Sequence, residues 1–461
     1  MNPIQRSYSP IDGSLYVERE LASDTIINRV LDASVGAQNV WRKTPLNERI
    51  TALTAMVEAF VANKDDIAEE ITRQMGRPLS HSPWEVDGFE DRALTMLAKA
   101  GMALADVVPT AIDGFTRFVR REPLGVVLTL APWNYPYLCA VNAIIPAMAA
   151  GNTVVLKHSA QTPLCAERLQ QAADAAGLPA GVFQTLHCSH DSVASMVADS
   201  RVDYVAFTGS VDGGVAVSRA GAGRFIAMGM ELGGKDPAYV RADAKLDHAA
   251  PNLVEGAFFN SGQSCCGIER IYVHETIFDN FVERYVAGVN AYTLGDPLLA
   301  SSDLGPMVRA SAADHVRGQT AQALAAGAKA LISKSNFAAA DEAVYLAPQV
   351  LVDVDHSMAI MREESFGPVI GIMKVSGDAE ALRLMNDSRY GLTASVWTQD
   401  QDAGLALASE LETGTVFMNR CDYLDPHLAW VGVKDSGRGC TLSSIGYENL
   451  TRPKSFHLRS V

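Results

Sequence analysis

The chain has no unbroken run of about 18 apolar residues, so nothing in it reads as a membrane-spanning helix. Basic residues are in deficit: 38 Lys and Arg stand against 53 Asp and Glu, a formal net charge of −15. That balance argues against nucleic acid and anionic membrane surfaces as partners. Cysteine is sparse and unpatterned. The seven (Cys139, Cys165, Cys188, Cys265, Cys266, Cys421 and Cys440) are odd in number and form no CxxC. A disulfide framework is therefore disfavoured, and a reducing, cytoplasmic setting fits better. Met1-Asn2-Pro3-Ile4-Gln5-Arg6-Ser7 lacks the apolar core of a secretory leader. No GxGxxG follows the first clear strand, so the usual dinucleotide fingerprint is missing. No metal set stands out: His187-Cys188-Ser189-His190 has no fourth ligand at suitable spacing. Internal repeats and low-complexity segments are absent as well.

What is present is 461 residues, 48% hydrophobic and 20% charged, enough for two or three globular domains. Ile50, Leu53, Met56, Val57, Phe60 and Val61 recur at three- and four-residue spacing. They predict one helical stretch over 45–75, with Pro45 near its start and Gly76 near its end. A second helix is expected near 84–104. After Pro123-Leu124-Gly125 the pattern changes to short apolar runs, as buried parallel strands show. Such strands are expected at 126–130, 153–156, 181–186 and 202–207, with a buried helix over 137–150 and another over 163–176. Beyond Leu253 the alternation resumes, with strands at 270–273 and 369–373. The fold class is α/β: two doubly wound parallel-sheet halves meeting near residue 232. Residues 116–121 and 454–458 alternate polar and apolar outside that rhythm and read as edge strands.

The chemistry concentrates in a few segments. Cys265 ends Phe259-Asn260-Ser261-Gly262-Gln263-Ser264-Cys265, a tight polar loop suited to a nucleophilic thiol more than to a core strand. Glu231 leads into Leu232-Gly233-Gly234 after Met228-Gly229-Met230. A carboxylate among apolar residues and glycines is costly to ionise, which raises its pKa towards that of a useful general base. Asn134 lies in Pro132-Trp133-Asn134-Tyr135-Pro136, where two prolines stiffen the backbone. Its amide can donate to an oxyanion. Gly209 and Ser210, in Phe207-Thr208-Gly209-Ser210, lead into a helix whose N–H groups suit a pyrophosphate.

Together with Gly151-Asn152-Thr153-Val154-Val155-Leu156-Lys157, Glu363-Glu364-Ser365-Phe366-Gly367-Pro368-Val369 and Lys434-Asp435-Ser436-Gly437, these blocks resemble, in order, the motifs of the NAD(P)-dependent aldehyde dehydrogenase superfamily. Some features are also similar to succinate-semialdehyde-type members. The resemblance implies an aldehyde substrate, with Cys265 as nucleophile, Glu231 as base for thioester hydrolysis and Asn134 as oxyanion donor. It assigns Trp133, Lys157, Ser159, Gly209, Ser210, Gly233, Glu364 and Phe366 to the cofactor. It assigns Tyr135, Leu138, Asn142, Phe259, Ser264, Cys266, Leu424 and Trp430 to the substrate tunnel, with Trp430 near its mouth. Arg420 and His427 are candidate contacts for an anionic tail. The implied domains are 1–105 with 124–232 for NAD(P), 233–440 for catalysis, and 106–123 with 441–461 as oligomerisation strands of a homodimer or homotetramer.

The chain also departs from the pattern. Ala160 stands where relatives often carry a glutamate for the adenosine ribose, so both NAD and NADP are expected, with His158 and Ser159 nearby. Thr441 and Ala143 replace the glutamate and lysine of a relay often proposed for protons. Two alternatives are a CoA-acylating semialdehyde dehydrogenase, against which Glu231 argues, and a non-catalytic relative of the same fold.

Overall fold

The computed structural model describes residues 3–337 and 343–461. Met1 and Asn2, part of the leader reading, lie outside the described residues. Two parallel sheets, each flanked by helices, carry the architecture. The first has six strands in the order Gly437–Arg438, Ala227–Glu231, Tyr204–Thr208, Val126–Ala131, Thr153–His158, Phe183–Thr185. All pairings in it are parallel except that of Gly437–Arg438 with Ala227–Glu231. The second has seven strands: Lys329–Ala330, Gln349–Val352, Val369–Val375, Ile268–His274, Asp236–Val240, Thr393–Trp397, Thr415–Met418. It too is parallel but for its Lys329–Ala330 edge. Val126–Ala131 is buried along its whole length, which is why it reads as a short apolar run; Thr393–Trp397 is equally buried but carries Thr393 and Ser395.

Phe115–Pro123 and Thr451–Arg459 belong to neither sheet. They pair with each other as an antiparallel ribbon, with Phe118 stacked on Phe456 at 4.4 Å between ring centroids. No helix among the described residues is long and apolar enough to cross a membrane.

The helical expectation over 45–75 is corrected. Two helices stand there, Leu46–Val61 and Lys64–Met75. The break falls at Asn63, whose side chain donates back to the Ala59 carbonyl at 2.9 Å. Such local amide bonding competes with the helical ladder, while the apolar spacing runs through the break and hides it. The strand expected over 181–186 is shorter, Phe183–Thr185. Pro136–Ala149 is a helix despite Pro146 and is buried along most of its length, as expected.

The glycine-asparagine motif before Thr153–His158 acts as a rivet. Asn152 is fully buried and accepts from the Leu124 and Gly125 amides at 2.7 and 3.0 Å. It donates to the carbonyls of Ala147 and Leu450 at 3.0 and 2.9 Å. One side chain thus joins a strand start, a helix end and the root of the C-terminal ribbon. Asn152→Ala leaves four backbone groups, three of them buried, without this partner. We expect a loss of about 3 kcal/mol or more, read as a fall in the urea midpoint, whereas a change under about 0.5 kcal/mol would contradict this role.

Candidate active site

Three adjacent strands of the first sheet end at one place. Asn134 follows Val126–Ala131, Thr208 closes Tyr204–Thr208, and Glu231 closes Ala227–Glu231. Carboxyl ends of parallel strands are where open α/β sheets bind ligands. Cys265 approaches from the other half, after the helix Leu246–Phe258 and the turn Phe259–Gly262. Asn260, Ser261 and Gly262 take φ of 53, 55 and 71°. Left-handed backbone is costly for side-chain-bearing residues, so surrounding bonds must hold this turn. Ser261 donates to the Gly305 carbonyl at 2.8 Å, and Gln263 Oε1 accepts from the Val308 amide at 2.9 Å. A Cβ on Gly262 would collide with the Gly367 backbone.

A buried ion pair, absent from the sequence reading, joins the two halves. Arg77 and Glu85 are 2% and 1% exposed and pair with each other. Glu85 Oε1 also accepts from the Tyr137 and Leu138 amides at 2.8 and 3.2 Å, filling the N-terminus of the helix after Asn134. Arg77 donates to the Asn134 carbonyl and, from Nε, to Asn260 Oδ1 at 3.4 Å. One guanidinium therefore fixes both the Asn134 segment and the Cys265 turn.

Two cavities meet at the thiol. The larger is about 490 Å³ and the smaller about 320 Å³. Cys265, Glu231 and Thr208 line both. Asn134 lines the smaller, and its Nδ2 donates to the Gln263 carbonyl at 3.2 Å, against the cysteine loop.

Glu231 is half-buried, and desolvation raises its pKa above the ordinary carboxylate value. Two hydroxyls oppose that: Thr441 donates to Oε1 at 2.5 Å and Thr208 to Oε2 at 3.2 Å. Thr441 thus takes hold of the carboxylate from the position where the resemblance led one to expect a glutamate. The Lys434-Asp435-Ser436-Gly437 motif anchors the same segment. Ser436 Oγ donates to the Gly233 carbonyl at 2.7 Å, and the Leu232 amide donates to the Ser436 carbonyl at 2.9 Å. Gly437, at φ 138°, packs so closely on Met230 that a Cβ would collide with its carbonyl.

Trp133, Gly209, Ser210, Gly233, Glu364 and Phe366 line the smaller cavity. Trp133 meets Phe366 edge-on at 5.7 Å. Glu364 Oε1 accepts from the Gly234 amide at 3.0 Å, and burial, aided by nearby Glu269, pushes its pKa up to about 8. Ser210 caps the helix Val211–Ala220. Lys157 and Ser159 line neither cavity. Lys157 is buried at the end of its strand, which lowers its pKa. His158 differs from expectation. Its Nε2 bonds the Pro136 carbonyl at 3.1 Å, and its Nδ1 accepts from the Ser159 amide at 3.0 Å. Both nitrogens are committed internally, and burial lowers its pKa to about 4. The ring is a structural pin.

Tyr135, Leu138, Asn142 and Phe259 line the larger cavity, as do Ser264, Cys266, Leu424 and Trp430. Trp430 is only 5% exposed, so it forms an inner wall and not the mouth expected of it. Arg420 lines the cavity with its guanidinium over the Tyr423 ring. His427 lines neither cavity. The sequence reading missed Arg92 and Asp422. Asp422 accepts from Cys266 Sγ and Ser264 Oγ at 3.0 and 3.2 Å. Among the described residues no cluster suits a metal; His187 instead pairs with Glu167 at 3.0 Å.

Fold and site together define a two-sheet α/β oxidoreductase with a thiol at the junction of its halves. The chain belongs to the aldehyde dehydrogenase family, whose model matches residues 2–456. It is 36% identical over 425 residues to the NAD(P)+ succinate semialdehyde dehydrogenase Sad of Escherichia coli, spanning 92% of this chain and 91% of that one. It is 33% identical over 458 residues to 3,6-anhydro-alpha-L-galactose dehydrogenase of Streptomyces coelicolor, spanning 98% and 92%. Among solved structures, succinic semialdehyde dehydrogenase from Streptococcus pyogenes in complex with NADP+ superimposes with a TM-score of 0.94 at 29% identity, over 99% of this chain and 100% of that one.

The pKa of all six other cysteines is raised: by the hydrogen bond to Cys265 and then by burial for Cys266, and by burial for the other five, to about 11 for Cys188 and Cys440. Cys265 alone opens on both cavities. Limited alkylation with iodoacetamide should therefore label Cys265 first, as mapped by peptide mass spectrometry. Prior labelling of any other cysteine would contradict this geometry.

Proposed function

We propose that the protein oxidises an aldehyde to the carboxylic acid with reduction of NAD(P)+, through a thioester on Cys265. The observation that carries this reading is the meeting of thiol, carboxylate and amide where two cavities join. The Cys265 thiolate attacks the aldehyde carbon from the larger cavity, forming a C–S bond and a tetrahedral oxyanion. The Asn134 amide and the Cys265 backbone N–H are the donors for that oxygen. Trp133, Gly209, Ser210, Gly233, Glu364 and Phe366 would hold a nicotinamide dinucleotide in the smaller cavity, where it would supply the hydride acceptor; re-forming the carbonyl with loss of hydride leaves the thioester on Cys265. Glu231 then takes a proton from water, whose oxygen attacks the thioester carbon; the C–S bond breaks and releases the acid and the Cys265 thiolate.

The smaller cavity suits a dinucleotide. Glu364 keeps acceptor capacity for a ribose hydroxyl beyond its single bond to the Gly234 amide. Gly233 must lack a Cβ, which would otherwise strike the Glu364 carboxylate. Gly209 and the capped helix offer a place for pyrophosphate. Ala160 adds no charge against a 2′-phosphate, which supports use of both cofactors. The domain reading accompanies this: 1–105 with 124–232 for cofactor, 233–440 for catalysis. In the ribbon of Phe115–Pro123 and Thr451–Arg459, Val107 bridges Val119 on one edge, while Thr451–Arg459 pairs with no other strand among the described residues; that free edge supports association into a homodimer or homotetramer. Seven unpaired thiols support a reducing, cytoplasmic setting.

Glu231 must lose its proton to act, and its pKa is raised. Acid formation limited by thioester hydrolysis therefore rises with pH through a pKa above the ordinary glutamate value. Thr441→Val removes a donor that favours the charged carboxylate, so that limb moves to higher pH; an unmoved profile would contradict the role of Thr441. Glu231→Gln is expected to slow turnover by about a hundredfold or more while a single burst of reduced cofactor persists. Steady turnover within about tenfold of wild type would reject the base assignment. With NADP+, kcat/KM should lie within about a thousandfold of that with NAD+; a wider gap would reject the reading of Ala160.

A further inference from the structure

Arg92 is the unusual cation of the larger cavity. It projects from the helix Pro83–Ala103, lines the cavity and is 8% exposed. Its Nη1 donates to the Leu138 carbonyl at 2.7 Å and to Asn142 Oδ1 at 3.3 Å. Among the described residues, its Nε and Nη2 have no hydrogen-bond acceptor, and no carboxylate lies within 4.0 Å of it. Other buried cations are differently placed. Arg77 is paired with Glu85 and Lys235 with Glu269. Arg270 spends Nε, Nη1 and Nη2 on carbonyls and the Tyr272 hydroxyl. Arg49 donates to two carbonyls away from either cavity.

A guanidinium stays charged even when desolvated, and an unpaired buried charge is costly. Three of the acids around it are already engaged. Glu85 serves Arg77 and two amides. Asp422 is held by Ser264 and Cys266, and burial raises its pKa towards the neutral form. Glu231 is held by Thr441 and Thr208. Asp91 and Glu255 also line the cavity, with no ion pair to Arg92. The free edge of Arg92 is a planar fork shaped for a carboxylate.

We propose that Arg92 receives the anionic end of the substrate, so that this cavity takes an aldehyde carrying a carboxylate. The inference rests on the thioester reading and adds to it a named specificity residue, in place of Arg420 and His427. Arg420 lies over Tyr423 and His427 is outside the cavity. Arg92 also bonds Asn142 and stands near enough to Glu231 to favour its charged form. Its loss therefore disturbs catalysis on any aldehyde. Only the discrimination between charged and neutral substrates isolates recognition.

The test compares ω-oxo carboxylates of four to six carbons with their methyl esters, using wild type, Arg92→Lys and Arg92→Gln. Wild type should prefer the best acid over its ester by about tenfold or more in kcat/KM. Arg92→Gln should reduce that ratio about a hundredfold or abolish it, chiefly through KM for the acid, with Arg92→Lys in between. A measurement without any variant accompanies it: succinate should protect wild-type Cys265 from iodoacetamide better than its dimethyl ester does. Equal use of acid and ester by wild type, equal protection, or equal losses for both in Arg92→Gln would each overturn the proposal. If neutral aldehydes alone are oxidised, the thioester reading stands and this one falls. If no aldehyde is oxidised with either cofactor, both fall.

Discussion

The buried pair of Arg77 and Glu85 is the contact on which the site depends. Its two charges are not an isolated dipole, because Glu85 spends its remaining bonds on backbone amides and Arg77 on a backbone carbonyl and the Asn260 side chain. Glu85 satisfies the first amides of the helix behind Asn134, and Arg77 holds the Asn134 carbonyl together with Asn260 in the cysteine turn. The pair thus costs desolvation but leaves few unmet polar groups, the condition under which a buried ion pair is tolerable. Its product is geometric. A turn with left-handed residues is held against a helix N-terminus from the other half of the molecule, and the thiol stands where two cavities open.

A second buried pair does similar work beside the smaller cavity. Lys235 and Glu269 meet at 2.6 Å, and Glu269 also accepts from the Ser365 and Phe366 amides at 2.8 and 2.9 Å. Phe366, at φ 52°, and Glu364 are presented to the smaller cavity by that brace. Lys235 directly follows the Glu231-Leu232-Gly233-Gly234 run, so the segment that carries the carboxylate also carries the cation that braces Glu364. Thr441, Thr208 and Ser436 complete the enclosure around Glu231 and its chain neighbours. Glu231 is desolvated by its surroundings and restrained by hydroxyls, two opposing effects on one group.

Much of this was legible in the sequence because it is local. Strands buried on both faces announce themselves as apolar runs, and Phe259 to Cys265 announces a polar turn. The hidden parts are long-range. Arg77 reaches the Asn134 carbonyl across 57 residues, and nothing in the chain around Gly76 and Pro78 points to that partner. Glu85 and Arg92 lie on the same helix among buried Val86, Phe89 and Ala93. Charges on an otherwise apolar face were the available signal, and periodicity counts discard them. The Asn63 break is missed for the converse reason, since helical spacing of apolar residues survives two residues of non-helical chain. His158 misleads because polarity next to a cofactor motif suggests contact, whereas its ring serves the fold from within.

The proposed chemistry stands or falls on one covalent bond. Rapid mixing of enzyme, aldehyde and NAD(P)+, followed by acid quench and peptide mass spectrometry, reads where the acyl group rests during turnover. The account predicts a mass increment equal to the acyl group on the peptide containing Cys265, appearing and decaying at rates consistent with product formation. Acylation of a different side chain, or acid formed with no acylated peptide at any time, would contradict it.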